Sequence, residues 1–215
     1  MALRTTTDKQ FVALARIAAA ATLDDQIALA AALQVAIDLG FPHEAGYETL
    51  LQLVPYVGYP RVVHAMVTMH ANFPTYFSLR GERPSEPWAA HAVGTWPMRG
   101  EQIFIQLWGP EAWGRRNLSD LSPELGEWFI ADTFGRIFGR PGLTLLEREV
   151  VVLGTLLAQG SFRELANHRR AIHHLGGPEE LIDAVVEGVG DLILGQHLLA
   201  ARETLAKLRL PPVSP

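Results

Sequence analysis

The sequence predicts an all-α protein, a helical bundle with an internally duplicated core. Apolar residues recur at helical spacing through most of the 215 residues, and no segment shows the sustained alternation of a strand. Two glycines, Gly40 and Gly176, each end an apolar helix pair and open similar signatures, GFPHE and GGPEE. We interpret the two regions as copies of one unit. Two unrelated hairpins with similar capping chemistry are the alternative.

The N-terminal region predicts four helices. Residues 8–21 are apolar and alanine-rich on every face, as in a buried helix. Residues 24–39 begin with two aspartates, which favour a helix N-terminus, and end before a glycine. A third helix is expected from His43 to about Val54, with a break at Pro55, and a fourth after Pro60.

A segment rich in proline and aromatic residues, 73–97, predicts a connector that packs partly across a helical surface. Helices are expected again from Arg99. Ser122 predicts the next N-cap, and Thr144 with Glu147 predicts a capping box for another. The segments 162–175 and 178–210 complete the helical part.

Composition excludes several classes of function. The net charge is −5 with both signs interspersed, so we expect no nucleic-acid partner. We expect no signal peptide and no membrane span, because the most apolar run, 27–37, is too short, and we predict a soluble cytoplasmic protein. The chain has no cysteine, which removes disulfides, thiolate nucleophiles and cysteine-bound metals.

Five motifs together resemble the carboxymuconolactone decarboxylase family. They are MRGEQI (98–103), WGPEAW (108–113), DTFGRIFGRPGL (132–143), REVVVL (148–153) and ELANHRRAIHHLGGPEE (164–180). The RPGL turn followed by E-L-x-x-H is the specific part of the resemblance. It implies a complete family repeat over residues 98–210, a connector over 73–97 and a partial, degenerate repeat over 1–72.

The resemblance implies a helical oligomer, a trimer first and a dimer second, with sites between helices. One branch of the family, similar to alkyl hydroperoxidase D, reduces peroxides with two cysteines. Ser161 and Glu164 stand at those positions here, so we expect no peroxidase activity. The other branch decarboxylates a lactone acid without a cofactor and usually carries the E-L-x-x-H form. Arg136 stands where that branch commonly has an acid.

The candidate catalytic residues are His168, Glu164 and Glu149. Glu164 and His168 are four residues apart on one helix, so the carboxylate could orient the imidazole for proton transfer. A helix-surface ion pair is the alternative. Glu149 could point into the same cavity, although Glu147, Arg148 and Glu149 would equally suit a solvated first turn. The first copy has Ala32 where the second has His168, so we interpret the first copy as scaffold.

The candidate substrate-binding residues are Arg136, Arg140 and Arg148, because a guanidinium can hold a substrate carboxylate with two hydrogen bonds. Surface or intersubunit contacts are the alternative for them. We predict no metal and no cofactor, since the spacing of His168, His173 and His174 does not place three ligands on one helical face. Aromatic residues at 108, 113, 134 and 138 suit core or interface packing.

The sequence therefore predicts a cofactor-free carbon–carbon lyase, a decarboxylase or lactone-processing enzyme that uses His168 in acid–base chemistry. Its small-molecule substrate would be an oxygenated ring compound of aromatic catabolism or secondary metabolism. A non-catalytic member of the family, binding a ligand or building an assembly, is the alternative.

Overall fold

The computed structural model describes residues 6–74, 93–109 and 118–208, apart from the side chains at 43 and 44. These residues form helices and no strand, which confirms the all-α prediction. The main helices are α1 (Asp8–Leu23), α2 (Gln26–Asp38), α3 (His43–Gln52), α4 (Val54–Asn72), α5 (Trp96–Trp108), α6 (Pro123–Trp128), α7 (Leu145–Gln159), α8 (Phe162–His174), α9 (Glu179–Gly188) and α10 (Gly195–Leu208). A π-helical segment, Phe129–Phe138, continues α6, and a 3₁₀ turn, Val93–Thr95, precedes α5.

Side-chain caps begin several helices where the sequence predicts them. The Thr144 hydroxyl accepts a hydrogen bond from the backbone N–H of Glu147, and the Glu147 carboxylate accepts from the backbone N–H of Thr144. Ser122 caps α6, whose first residue is Pro123. These bonds satisfy N–H groups that the helix cannot pair internally, so they fix where each helix begins.

Three boundaries differ from the sequence predictions. Pro55 lies in the first turn of α4, where its missing N–H costs no hydrogen bond, and the kink comes at Gly58 with φ 76° and ψ 167°. α5 begins at Trp96, inside the predicted connector. The C-terminal segment forms two helices, α9 and α10. Residues 75–92 of the connector lie outside the described residues.

The centre of the protein is the contact between α1 and α7. α7 is buried throughout residues 147–158, and α1 is buried at most positions between 11 and 21. Gly154 of α7 lies so close to α1 that a Cβ atom there would be 2.5 Å from the carbonyl oxygen of Ala15. Two apolar clusters share this contact, one around α2–α4 and one around α5, the π-helical segment and α7–α10. Within the described ranges, no helix has the length and apolar character needed to cross a bilayer.

The two halves end and begin their helices in similar ways. Paired positions are Thr7 and Thr144 (N-caps with capping boxes), Asp24 and Gly160 (left-handed C-caps), Gly40 and Gly176 (left-handed glycines), and Pro42 and Pro178 (N-caps of α3 and α9). These parallels support the predicted duplication. Two hairpins of independent origin would share the same capping chemistry, so the duplication stays a prediction.

Candidate active site

The candidate site begins with three charged residues at the start of α7. Glu147, Arg148 and Glu149 are all fully buried. The alternative that they form a solvated first turn is therefore wrong. Burial of a charged group is costly unless it is paired, so each of these side chains needs a partner.

Glu149 pairs with His168 across two helices. The Nδ1 atom of His168 on α8 lies 2.7 Å from Oε2 of Glu149 on α7. An ionised carboxylate can only accept a hydrogen bond, so with Glu149 ionised this contact puts the imidazole proton on Nδ1. The His168 side chain is 13% exposed, and Nε2 has no hydrogen-bond partner among the described residues. The imidazole is thus held through Nδ1, while Nε2 is left for another partner on a side chain that solvent reaches in part.

The second oxygen of Glu149 is left without a partner by the residues that the structure describes. Oε1 is buried and accepts no hydrogen bond within the described residues. Tyr56, near the start of α4, lies close enough to Glu149 for the negative charge of the carboxylate to affect its phenol. Burial, together with the negative charge of Glu149, raises the pKa of Tyr56 far above its usual range. The phenol therefore stays protonated and is a neutral neighbour of the carboxylate.

Aromatic rings form one wall beside His168. Trp108, at the end of α5, meets the imidazole edge to face with ring centroids 6.0 Å apart. The indole N–H of Trp108 donates to the backbone carbonyl of Asn167, 3.2 Å away, which holds the ring against α8. Phe104 and Phe134 pack behind Trp108. This wall packs one aromatic ring directly against the imidazole. Trp113 lies outside the described residues.

Arg140 and Arg148, expected to hold a substrate carboxylate, both bind Glu48 of α3. Arg140 donates three hydrogen bonds of 2.7–2.9 Å to the Glu48 carboxylate. Arg148 donates to Glu48 at 3.2 Å and to Gln52 at 3.0 Å. Burial lowers the pKa of Arg148, and the charge of Glu48 opposes that effect. The structure therefore shows both guanidiniums engaged in an internal network between the N-terminal helices and α7.

Arg136 and Glu164 do not contact the Glu149–His168 pair, which is called the dyad below. Arg136 lies in the π-helical segment, 3.7 Å from Asp132 and over the ring of Trp96. Glu164 is exposed on α8. The structure thus gives His168 a different carboxylate from the expected one, because the helix contact between α7 and α8 brings Glu149 closer than the local i,i+4 neighbour. The functional roles of Arg136 and Glu164 stay predictions.

The other two histidines of α8, His173 and His174, have different contacts from those of His168. His173 contacts Glu179 at 2.7 Å through Nε2 and the carbonyl of Gly177 at 3.0 Å through Nδ1. His174 is exposed. The absence of a metal or cofactor stays a prediction from the sequence.

Three residues near the dyad were missed by the sequence predictions: Glu48, Gln52 and Tyr56. They follow one another at intervals of four residues, across the junction of α3 and α4, and face the start of α7. A polar stripe at helical spacing within an apolar region is the signal that could have revealed them. It predicts a buried polar contact but does not identify the partner.

Comparison with known protein families and curated proteins identifies no relative of this chain. The chain matches no protein-family model and no curated protein. The resemblance to the carboxymuconolactone decarboxylase family therefore stays a prediction.

Proposed function

We propose that this protein is an enzyme that uses His168 as a general acid–base group, positioned by Glu149. One observation carries the proposal. A fully buried carboxylate binds Nδ1 of a partly exposed imidazole at 2.7 Å and leaves Nε2 without a partner in the described part of the chain. A buried carboxylate that serves only to fix an imidazole is expensive for a fold and is typical of acid–base sites.

The dyad would work by proton transfer at Nε2. Glu149 holds the proton on Nδ1, so the neutral imidazole offers the lone pair of Nε2 as a base. Once Nε2 has taken a proton, the negative charge of Glu149 stabilises the imidazolium, which can return the proton to carbon or oxygen. The neutral phenol of Tyr56 lies beside this carboxylate without competing for its charge.

Decarboxylation of an oxygenated ring acid is the reaction we favour, on the resemblance of the E-L-x-x-H segment. Nε2 of His168 first takes a proton from solvent. Loss of carbon dioxide from the substrate carboxylate then leaves an enolate, and the Nε2 proton is transferred to its carbon, giving the protonated product and restoring the neutral imidazole. The proposal needs no cofactor. A reaction in D₂O tests it: the carbon that loses carbon dioxide should carry one deuterium, and turnover should depend on His168.

A ligand-binding role without catalysis is the second candidate. A mainly apolar groove of about 810 Å³ runs along α4, lined by residues that include Tyr59, Val63, Met66 and His70. Its size suits a small organic ligand. Binding of candidate ring compounds with no turnover, unaffected by His168→Ala, would favour this role.

Self-association and a cytoplasmic location belong to the same proposal. The apolar helices 8–21 and 150–158 do not supply a surface for association, because the structure buries most of their residues within the chain. An exposed stripe on α4 now supports association: Tyr59, Val63 and Val67, each more than half exposed, follow at intervals of four residues. The number of subunits, three or two, is implied by the resemblance alone.

A further inference from the structure

A two-way contact joins Gln52, the last residue of α3, to Arg148 of α7. The side-chain oxygen of Gln52 accepts from Nη1 of Arg148 at 3.0 Å. Its Nε2 group donates to the backbone carbonyl of Arg148 at 2.7 Å. Both residues are fully buried. The amide therefore uses both of its ends on a single residue of the C-terminal half.

The backbone half of this contact acts on Glu149. The carbonyl of Arg148 and the N–H of Glu149 belong to one planar peptide unit, which turns as a rigid body. A hydrogen bond to that carbonyl therefore adds to the helical bonds of α7 in holding the plane from which the Glu149 side chain projects. The Glu149 carboxylate in turn holds Nδ1 of His168 at 2.7 Å. A continuous path of short contacts runs from α3 to the imidazole.

We propose that Gln52 is a positioning residue for the Glu149–His168 dyad, acting through the peptide unit between Arg148 and Glu149. The inference rests on the proposed function, because it assigns a role within the same site. It also changes the role of the N-terminal helices, which the sequence predicts to be scaffold only. The N-terminal half supplies the group that sets the orientation of the dyad in the C-terminal half.

If Gln52 had a structural role only, that role would be to accept the hydrogen bond from the guanidinium of Arg148. Gln52→Glu separates this role from positioning. A carboxylate at position 52 still accepts from Nη1 of Arg148 and adds a negative charge beside this buried guanidinium, so the variant should fold. It has no N–H to donate, and its oxygen would face the carbonyl oxygen of Arg148. The repulsion between the two oxygens should then tilt the peptide unit within the helix, away from its native orientation.

The readout is the tautomer of His168, followed through the ring ¹⁵N signals of protein labelled at histidine, at a pH where the imidazole is neutral. The wild-type protein should show Nδ1 protonated and Nε2 unprotonated. Gln52→Glu should lower the fraction of this tautomer, in the direction of Glu149→Met, which removes the acceptor at position 149 and defines full loss of the contact. Gln52→Met, of similar length and without polar atoms, should give the same change with lower stability.

Gln10→Glu is the matched control. Gln10 also donates from its side-chain amide to a backbone carbonyl, that of Leu39 at 3.1 Å, and a carboxylate there keeps the capping bond from the N–H of Thr7. It should leave the His168 signals unchanged. A wild-type tautomer in Gln52→Glu, or an equal change in Gln10→Glu, would overturn the proposal. Neither outcome depends on turnover. The proposed catalytic function is tested separately, by the turnover number of His168→Ala.

Discussion

The guanidinium of Arg140 donates three hydrogen bonds of 2.7–2.9 Å to the carboxylate of Glu48, although 92 positions separate the two residues in the chain. Arg148 adds a fourth bond to the same carboxylate at 3.2 Å. Glu48 is therefore the anion that makes burial of these two guanidiniums tolerable, and it joins the N-terminal helices to α7.

Glu48→Ala should destabilise the protein by about 3–5 kcal/mol, because it leaves buried guanidiniums without that anion. The free energy of unfolding can be measured by urea titration. Glu164→Ala, which removes an exposed carboxylate, is the control and should change stability by less than about 0.5 kcal/mol. Equal losses in the two variants would contradict a structural role for the Glu48 network.

Gly154→Ala tests the contact between α1 and α7. Alanine favours helices over glycine, but a Cβ atom at position 154 would lie 2.5 Å from the carbonyl oxygen of Ala15. We expect the helices to be forced apart and stability to fall by about 1–3 kcal/mol in thermal unfolding. Gly195→Ala, at the exposed start of α10, should cause no loss, because the added group would meet no other part of the described chain within 4 Å. A stabilised Gly154→Ala protein would show that the two helices are farther apart.

Asp191 should make stability depend on pH in acid. Hydrogen bonds from Arg16 lower the pKa of Asp191 below its ordinary value of 3.8. A depressed carboxyl pKa stabilises the fold above the unfolded value, and this contribution is lost as the pH falls through the folded value. Asp191→Asn should therefore reduce the melting temperature at neutral pH and have little effect well below pH 3.8. A loss of equal size at both pH values would exclude the ion pair as its cause.

The α4 stripe should mediate self-association. Val63 lies at its centre and is 58% exposed. Val63→Glu would place a charge in any apolar interface formed there, so sedimentation at micromolar protein should show a smaller species than the wild type with unchanged helical content. Leu199→Glu, at a similarly exposed position on α10, is the matched control. A wild-type protein that sediments as a monomer would remove the association proposal.

Helix boundaries could be predicted where local chemistry determines them. The capping box of Thr144 and Glu147 and the cap at Ser122 depend on residues within one turn, so the sequence contains all the information needed. The kink at Gly58 was missed because Pro55 and Pro60 are stronger local signals. A left-handed glycine between two prolines is recognised as the bend only from the backbone itself.

The site was predicted less completely because its contacts are not local. The family resemblance points to His168, and the i,i+4 spacing that is visible in the sequence points to Glu164 as its partner. The actual partner, Glu149, lies 19 positions away on a different helix. Likewise, Arg148 fits a substrate-binding role until the packing of α3 against α7 shows Glu48 and Gln52 beside it.

The most direct test of the central claim is the turnover number of His168→Ala on a panel of oxygenated ring acids, with carbon dioxide release as the signal. We expect kcat to fall by about 10²–10⁴-fold, the usual contribution of a general acid–base group. His174→Ala, which removes an exposed imidazole from the same helix, should keep the wild-type rate. A wild-type rate in His168→Ala would contradict the account.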